Sequence, residues 1–522
     1  MDRGRREALT PLGRARPPGE APEALASSAR LAASGADPPP GEPPAQSQQS
    51  QAVIGGAVTL GGHAAVQAVR LGGQIVLTRL LPQEAFGLMA IVHTYRGMID
   101  LFSDVGIGPS IIQNERGDDP RFLDTAWTIQ LARGTAPSAQ RRRTAPWVAR
   151  FYGHAVLAAL IPAASFAAVI AGARSTKAYA AERHLRLGWL TVNESIAAVS
   201  ALIVMITWSL IEPSVWALVA GGLVGAGADV LLGHLVLRGY DARIGWERRA
   251  AEALMQFGKW VFASTALTFA VNEADRLIFG KMTSLAELGV YNVALTIALV
   301  PTSAMHALAG KVIFPLFSRI NQTGEDLAVV FGKARRLHLV VSGWAISGLV
   351  GGGQAAIGLV YDARYAAGGW MLQLLALAAW IATPENTNSS ASLALGRPRW
   401  VAAGNLAKLI GMLVLLPIGY HLGGFRGALI GYVGSELFRY AASTLGVYRR
   451  GLRTVRQDLE CSAVLVIASL AAHFLVLRLA ARQLPVLVQA CAVFVVVTTL
   501  WAPWLFPYAR RALDEVRGRH AG

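Results

Sequence analysis

Residues 215–249 read VWALVAGGLVGAGADVLLGHLVL and then RGYDARIGWERR. The first run has the ~20 apolar residues that a helix needs to cross a bilayer core of about 30 Å. The second is a short connection carrying Arg238, Arg243, Arg248 and Arg249. Apolar stretches of this kind, Val192 to Ile211 and Val486 to Tyr508 among them, recur from about Val53 to Tyr508 with basic connections between them. A helix satisfies its own backbone in lipid, and no alternating barrel pattern competes. Hydrophobic residues make up 53% of the 522, charged residues 15%, and the mean hydropathy is +0.42. The fold class is therefore an all-α integral membrane protein rather than a soluble domain.

A net charge of +16 would point to nucleic acid in a soluble chain. Here the surplus sits in connections between apolar spans, where it sets orientation, so no nucleic-acid partner is expected. Cys461 and Cys491 have no CxxC or Cys/His spacing around them, which predicts neither a disulfide framework nor a metal site. HExxH, GxSxG, Walker A and a GxGxxG between strand and helix are all missing, so no cofactor is expected.

Fourteen spans are expected, at about 53–78, 86–108, 122–148, 155–173, 190–211, 214–237, 257–279, 288–314, 338–360, 368–390, 400–420, 425–447, 462–480 and 485–508. The organisation that follows is a Pro- and Ala-rich tail at 1–52, six-helix lobes at 53–237 and 257–447, a linker at 238–256, an added helix pair at 448–508 and a basic tail at 509–522. The 1–52 segment reads as disordered and cytoplasmic, or as the product of a start codon placed too early. With the N-terminus inside, alternate connections hold Lys and Arg in a ratio near 25 to 8, which puts both termini in the cytoplasm.

The connection Arg79-Leu-Leu-Pro-Gln-Glu-Ala-Phe-Gly-Leu88 lies over Lys281-Met-Thr-Ser-Leu-Ala-Glu-Leu-Gly-Val290 at an offset of 202. Each is a short turn leading into a helix that opens with an apolar residue and Gly. An even number of spans separates them, so the lobes are expected to be parallel repeats about an axis along the membrane normal, with a cavity between.

Several segments resemble polysaccharide-biosynthesis flippases, the Wzx-like members of the multidrug/oligosaccharidyl-lipid/polysaccharide exporter superfamily. They are Leu77 to Leu88, Leu101-Phe-Ser-Asp-Val-Gly-Ile-Gly-Pro-Ser-Ile-Ile-Gln113, Arg150-Phe-Tyr-Gly153, Asn272-Glu-Ala-Asp-Arg-Leu-Ile-Phe-Gly280, Phe314-Pro-Leu-Phe-Ser-Arg319 and Leu395-Gly-Arg-Pro398. The resemblance covers about 53 to 450. It implies a membrane transporter rather than an enzyme, moving undecaprenyl-diphosphate-linked oligosaccharide across a bacterial inner membrane for capsule, exopolysaccharide or lipopolysaccharide O-antigen assembly. The implied partners are the lipid-linked substrate, membrane lipids and polysaccharide polymerase and export machinery. A drug or cation exporter of the same superfamily and a polytopic glycan polymerase or ligase are the alternatives.

The third span departs from that family pattern at Thr135-Ala-Pro-Ser-Ala-Gln-Arg-Arg-Arg-Thr-Ala-Pro146. Three adjacent arginines at mid-span would cost on the order of 8 to 10 kcal/mol to insert, and the two prolines are expected to break the helix. The favoured reading is a compensated frameshift or sequencing error in a GC-rich gene. The other is a real, broken helix sheltered by protein.

Ionisable groups inside spans mark candidate function because lipid makes them expensive. Arg70, Arg96, Lys281 and Lys311 are the candidates to hold the diphosphate, whose charge an Arg or Lys would replace water around. Asp100, Glu273 and Asp275 are the coupling-ion candidates, and Arg96 and Asp100 stand four apart on one helix face. Asp104 reads as a structural cap. Glu194, Asp229, Lys408 and Glu436 read as lone charges, and Pro384 as a break exposing backbone near Glu385, Asn386 and Asn388.

Overall fold

The structure is a computed structural model that describes residues 65–103, 106–184, 187–303, 327–395 and 397–520. The expected tail at 1–52, the first part of span 1, Asp104 and Lys311 lie outside the described residues. Those described are helical almost throughout, with no strand among them, as a chain in lipid requires. They all fall in one compact unit.

The first lobe comprises α1 (65–80), α2 (Gln83–Ser103), a short α3 (Ile107–Gln113), α4 (Pro120–Tyr152), α5 (Leu157–Gly172), α6 (Lys177–Arg183), α7 (Leu187–Ile211) and α8 (Trp216–Leu235). The second comprises α9 (Arg248–Met282), α10 (Leu285–Ala298), α11 (Leu327–Val360), α12 (Gly368–Ala394) and α13 (Pro398–Tyr448). The pair α14 (Val455–Ala481) and α15 (Val486–His520) packs on α11 through Leu465, Ala468, Val493 and Trp501. The 51 residues of α13 are two antiparallel spans, because Gly423 and Gly424 leave helical geometry. Gly424, at φ 59°, adopts the left-handed backbone that glycine tolerates and β-branched residues do not.

Among the described residues seven helices, the two-span α13 counted once, are long and apolar enough to cross a membrane, and an eighth if α5 and α6, bent by 64° to one another, form one span. The other long helices, α2, α4, α9 and α12, carry more charged or amide side chains. Apolar faces such as Ile203, Leu210, Ile467 and Phe494 are exposed on the outer helices, while the apolar α10 is largely buried.

Helix α4 overturns one expectation. It runs unbroken through Pro137, the three arginines and Pro146, from an Asp119 N-cap with Pro120 in its first turn to Gly153 in left-handed conformation. The arginines are tolerated because they do not share a fate. Arg141 is 1% exposed and ion-paired with Asp100 of α2, whereas Arg142 and Arg143 lie on the exposed face. A bend in this span is not needed to accommodate them.

The 202-residue repeat has a direct structural counterpart. A Cβ built on Gly87 would lie 2.1 Å from the Leu285 carbonyl oxygen, and one on Gly289 would lie 2.1 Å from the Gln83 carbonyl oxygen. Gly87 with Gly289, and Gln83 with Leu285, are both pairs 202 apart. The two lobes therefore meet in a reciprocal crossing of α2 and α10 at equivalent residues.

The face carrying the α1–α2 and α9–α10 turns is called the turn face below, and the opposite one the linker face. On the linker face the α8–α9 linker is tied to the first lobe by Arg116. Its two terminal nitrogens donate to the two Glu247 oxygens at 2.9 and 2.8 Å, and one also reaches Asp119 at 2.5 Å. Hydrogen bonds from Arg116 hold both carboxyls below their usual range, with the Arg121 backbone N–H adding to the effect at Asp119. A lowered folded-state pKa contributes stability above the unfolded value of about 4 that is lost as pH falls through the folded value. Proteolysis within the linker at 238–247 is thus expected to rise as pH drops below about 4, and Arg116→Ala is expected to abolish that pH dependence.

Candidate functional site

The seam between the lobes is built on α2 and α9. Arg96 Nε lies 3.3 Å from Asp100 on α2, and Asp100 also accepts from Arg141 of α4. Two guanidinium groups thus flank one carboxylate. Thr94 of α2 donates to Glu273 of α9 at 2.6 Å, and Glu273 pairs with Arg276 at 2.5 Å. His93 lies within electrostatic range of Arg96, Arg276 and Glu273. Arg276 also donates to Asn292 at 3.3 Å, and Tyr291 donates to Asp275, so span 7 is bound to span 8 through both groups.

A cavity of about 500 Å³ in the second lobe is lined by α9, α10, α12 and α13. Its charged lining is Glu273, Asp275, Arg276, Lys408, Glu436 and Arg439. Lys408 donates to Glu436, and Arg439 lies 2.6 Å from Glu385 and 3.8 Å from Glu436. This corrects the reading of Lys408 and Glu436 as lone charges. They face each other across the two halves of α13, with side chains 5% and 4% exposed, and charges in lipid-embedded helices are stable when paired in this way. Asp275 is 2% exposed and its Oδ1 has no hydrogen-bond partner among the described residues.

A larger cavity, about 680 Å³, lies in the first lobe between α1, α7 and α8. It is lined by Arg70, Gln74, Arg174, Glu194 and Asp229 among apolar side chains. Asp229 accepts from Asn193 at 2.8 Å and faces Arg174 at 3.3 Å, so it too is partnered rather than lone. A third space of about 240 Å³ opens beside Arg96, Asp100, Gln130, Arg133 and Arg174.

Lys281 lines none of these three. It donates to the Phe151 carbonyl at 2.5 Å and sits 5.0 Å over the Phe151 ring, fastening the end of α9 to α4 at the turn face. Pro384 does not break α12. Its carbonyl accepts from Arg335 at 3.1 Å and from Thr387 at 2.8 Å. Arg335, expected in a connection, is instead buried in α11 and lies 2.5 Å from Asp458 of α14, which locks the terminal helix pair to the lobe.

Sequence reasoning missed Arg141, Arg439 and Asp458. Arg439 had a legible signal in its i, i+3 spacing from Glu436. Arg141 had none, because its partner is on another helix.

The chain is 22% identical over 359 residues to the lipopolysaccharide biosynthesis protein WzxC of Escherichia coli K12, covering 69% of this chain and 73% of that one. It is 22% identical over 295 residues to the teichuronic acid biosynthesis protein TuaB of Bacillus subtilis 168, covering 56% and 61%. Its fold matches the lipid II flippase MurJ in an inward closed conformation with a TM-score of 0.66 at 11% identity, over 85% of this chain and 98% of that one. An inward-facing MATE-family transporter of the MOP superfamily matches with a TM-score of 0.57 at 13% identity, over 76% and 95%. A model of the family described as polysaccharide biosynthesis protein matches residues 76–367, more than half of the sequence, and the chain belongs to that family.

Proposed function

We propose that this protein is a flippase carrying undecaprenyl-diphosphate-linked glycan units across the bacterial inner membrane by alternating access, for exopolysaccharide, capsule or O-antigen assembly. The linker face and both termini are cytoplasmic in this reading, in line with the basic connections. The observation that carries it is the charge of the seam. Arg96 and Arg141 share Asp100, and the adjoining space is lined by Arg96, Arg133 and Arg174 against that one carboxylate. A diphosphate entering a low-dielectric cleft needs such donors in place of water.

Arg70 is the proposed contact in the first-lobe cavity, where it makes no ion pair among the described residues. Arg96 is the proposed contact in the seam. Asp100, Glu273 and Asp275 remain the proposed coupling-ion groups, as carboxylates within the membrane-spanning helices that line the seam and the second-lobe cavity. Lys281 and Lys311 are proposed only as secondary contacts along the path. Polymerase and export machinery are the proposed downstream partners.

A drug or cation exporter would favour acidic lining. Here the second-lobe cavity has three acidic and three basic groups and the first-lobe cavity two of each, so neither has an acidic surplus. A polymerase would carry a large functional loop, and the turn-face connections described here are short. The test is Arg70→Ala at normal expression. Loss of surface polysaccharide is expected, and undiminished export would overturn the assignment of Arg70.

A further inference from the structure

The crossing of α2 and α10 does more than join the lobes. At Gly87 and Gly289 each backbone lies where the other's Cβ would be, and the atoms in the way are backbone carbonyls that cannot rotate aside. Even one methyl group at either position therefore forces the two helices, and with them the two lobes, apart at the turn face. A second contact joins the lobes beside it. Arg364, in the α11–α12 connection of the second lobe, donates to the carbonyls of Thr78 and Arg79 at 2.9 and 3.2 Å, where α1 of the first lobe ends. Gln83 of the first lobe donates back to the Arg364 carbonyl. Asp362 holds the Arg364 guanidinium at 2.6 Å, and this hydrogen bond raises the Arg364 pKa and lowers that of Asp362.

We propose that the Gly87–Gly289 crossing and the Arg364 clamp together form the turn-face seal of the transport cycle, a closure that only glycine permits and that must part for the turn face to open. The proposal rests on the alternating-access reading above. Steric clash acts on one state alone: it penalises the closed turn face and leaves the open one untouched. A ligand-free equilibrium must then shift toward opening.

The test is a distance measurement between spin labels on Glu212→Cys and Leu422→Cys, two exposed turn-face positions in different lobes, with Cys461 and Cys491 replaced by alanine. Gly87→Ala is expected to enrich the long-distance population by about tenfold or more. Arg364→Ala, which removes the clamp without a clash, is expected to move it the same way by less, and it carries the test if Gly87→Ala fails to fold. The control is Gly351→Ala, where a Cβ would meet the Ser469 carbonyl oxygen at 2.6 Å, a backbone clash between α11 and α14 away from both labels. An unchanged distribution in both Gly87→Ala and Arg364→Ala overturns the proposal, and so does an equal shift in Gly351→Ala. The readout needs no glycan, so it can fail while the Arg70→Ala export assay succeeds, and the reverse.

Discussion

Asp100→Ala is expected to destabilise the protein by about 3–5 kcal/mol, the cost of leaving a buried charge without its partner. The argument turns on Arg141. Its side chain is 1% exposed, and its Nε and Nη1 lack partners among the described residues, so Asp100 is the carboxylate that compensates it. Arg96, by contrast, is 29% exposed on its side chain and can turn to water when Asp100 is removed. The double variant Asp100→Leu/Arg141→Leu is expected to recover most of the loss, because two apolar groups replace a matched pair of charges. Thermal unfolding in detergent compares the three proteins. If Asp100→Ala melts within a degree or two of the parent, the sheltered-arginine account of α4 is wrong.

A comparable loss is expected from Lys408→Met. That change strands Glu436, 4% exposed on its side chain, with Arg439 at 3.8 Å as its remaining cation. Arg439 is itself committed to Glu385 at 2.6 Å, so it cannot serve both carboxylates at short range. A penalty of about 3–5 kcal/mol follows for the single change. Lys408→Met/Glu436→Leu is expected to restore stability while leaving the cavity with one fewer charge of each sign. The same pair of proteins also separates folding from transport. A stable double variant that still exports glycan would show that Lys408 and Glu436 hold the lobe together without taking part in the cycle.

Much of the scaffold was legible in one dimension. Apolar runs of bilayer length located the helices, and the His421-Leu-Gly-Gly424 interruption separated the two halves of α13. The 202-residue repeat was visible because both copies preserve the glycine that the crossing needs. Hydropathy failed where a helix is surrounded by protein. The Thr135–Pro146 run looked impossible because its arginines were referred to lipid, and the structure refers the first of them, Arg141, to Asp100, 41 residues away. Lys408 and Glu436 looked solitary because their spacing fits no helical period. Yet they stand fourteen residues before and after Leu422, mirror positions about a hairpin turn, which is a signal that span-by-span reading does not use. The cavities themselves depend on side chains from several helices, and no local pattern encodes that convergence.

The contrast between the most apolar helices and the polar α2, α4, α9 and α12 also bears on biogenesis. Helices α2, α4, α9 and α12 are too polar to leave a translocation channel for lipid one at a time, since each would carry unpaired charge into hydrocarbon. Each must wait at the channel for the neighbour that neutralises or covers it: α4 for α5, and α12 for the hairpin of α13. Arg141 can settle only beside an Asp100 that has been synthesised and retained nearby. Release of this chain into the bilayer is therefore expected to occur in groups of helices, and the slowest step in making the protein is the assembly of its interior rather than the insertion of its most apolar spans.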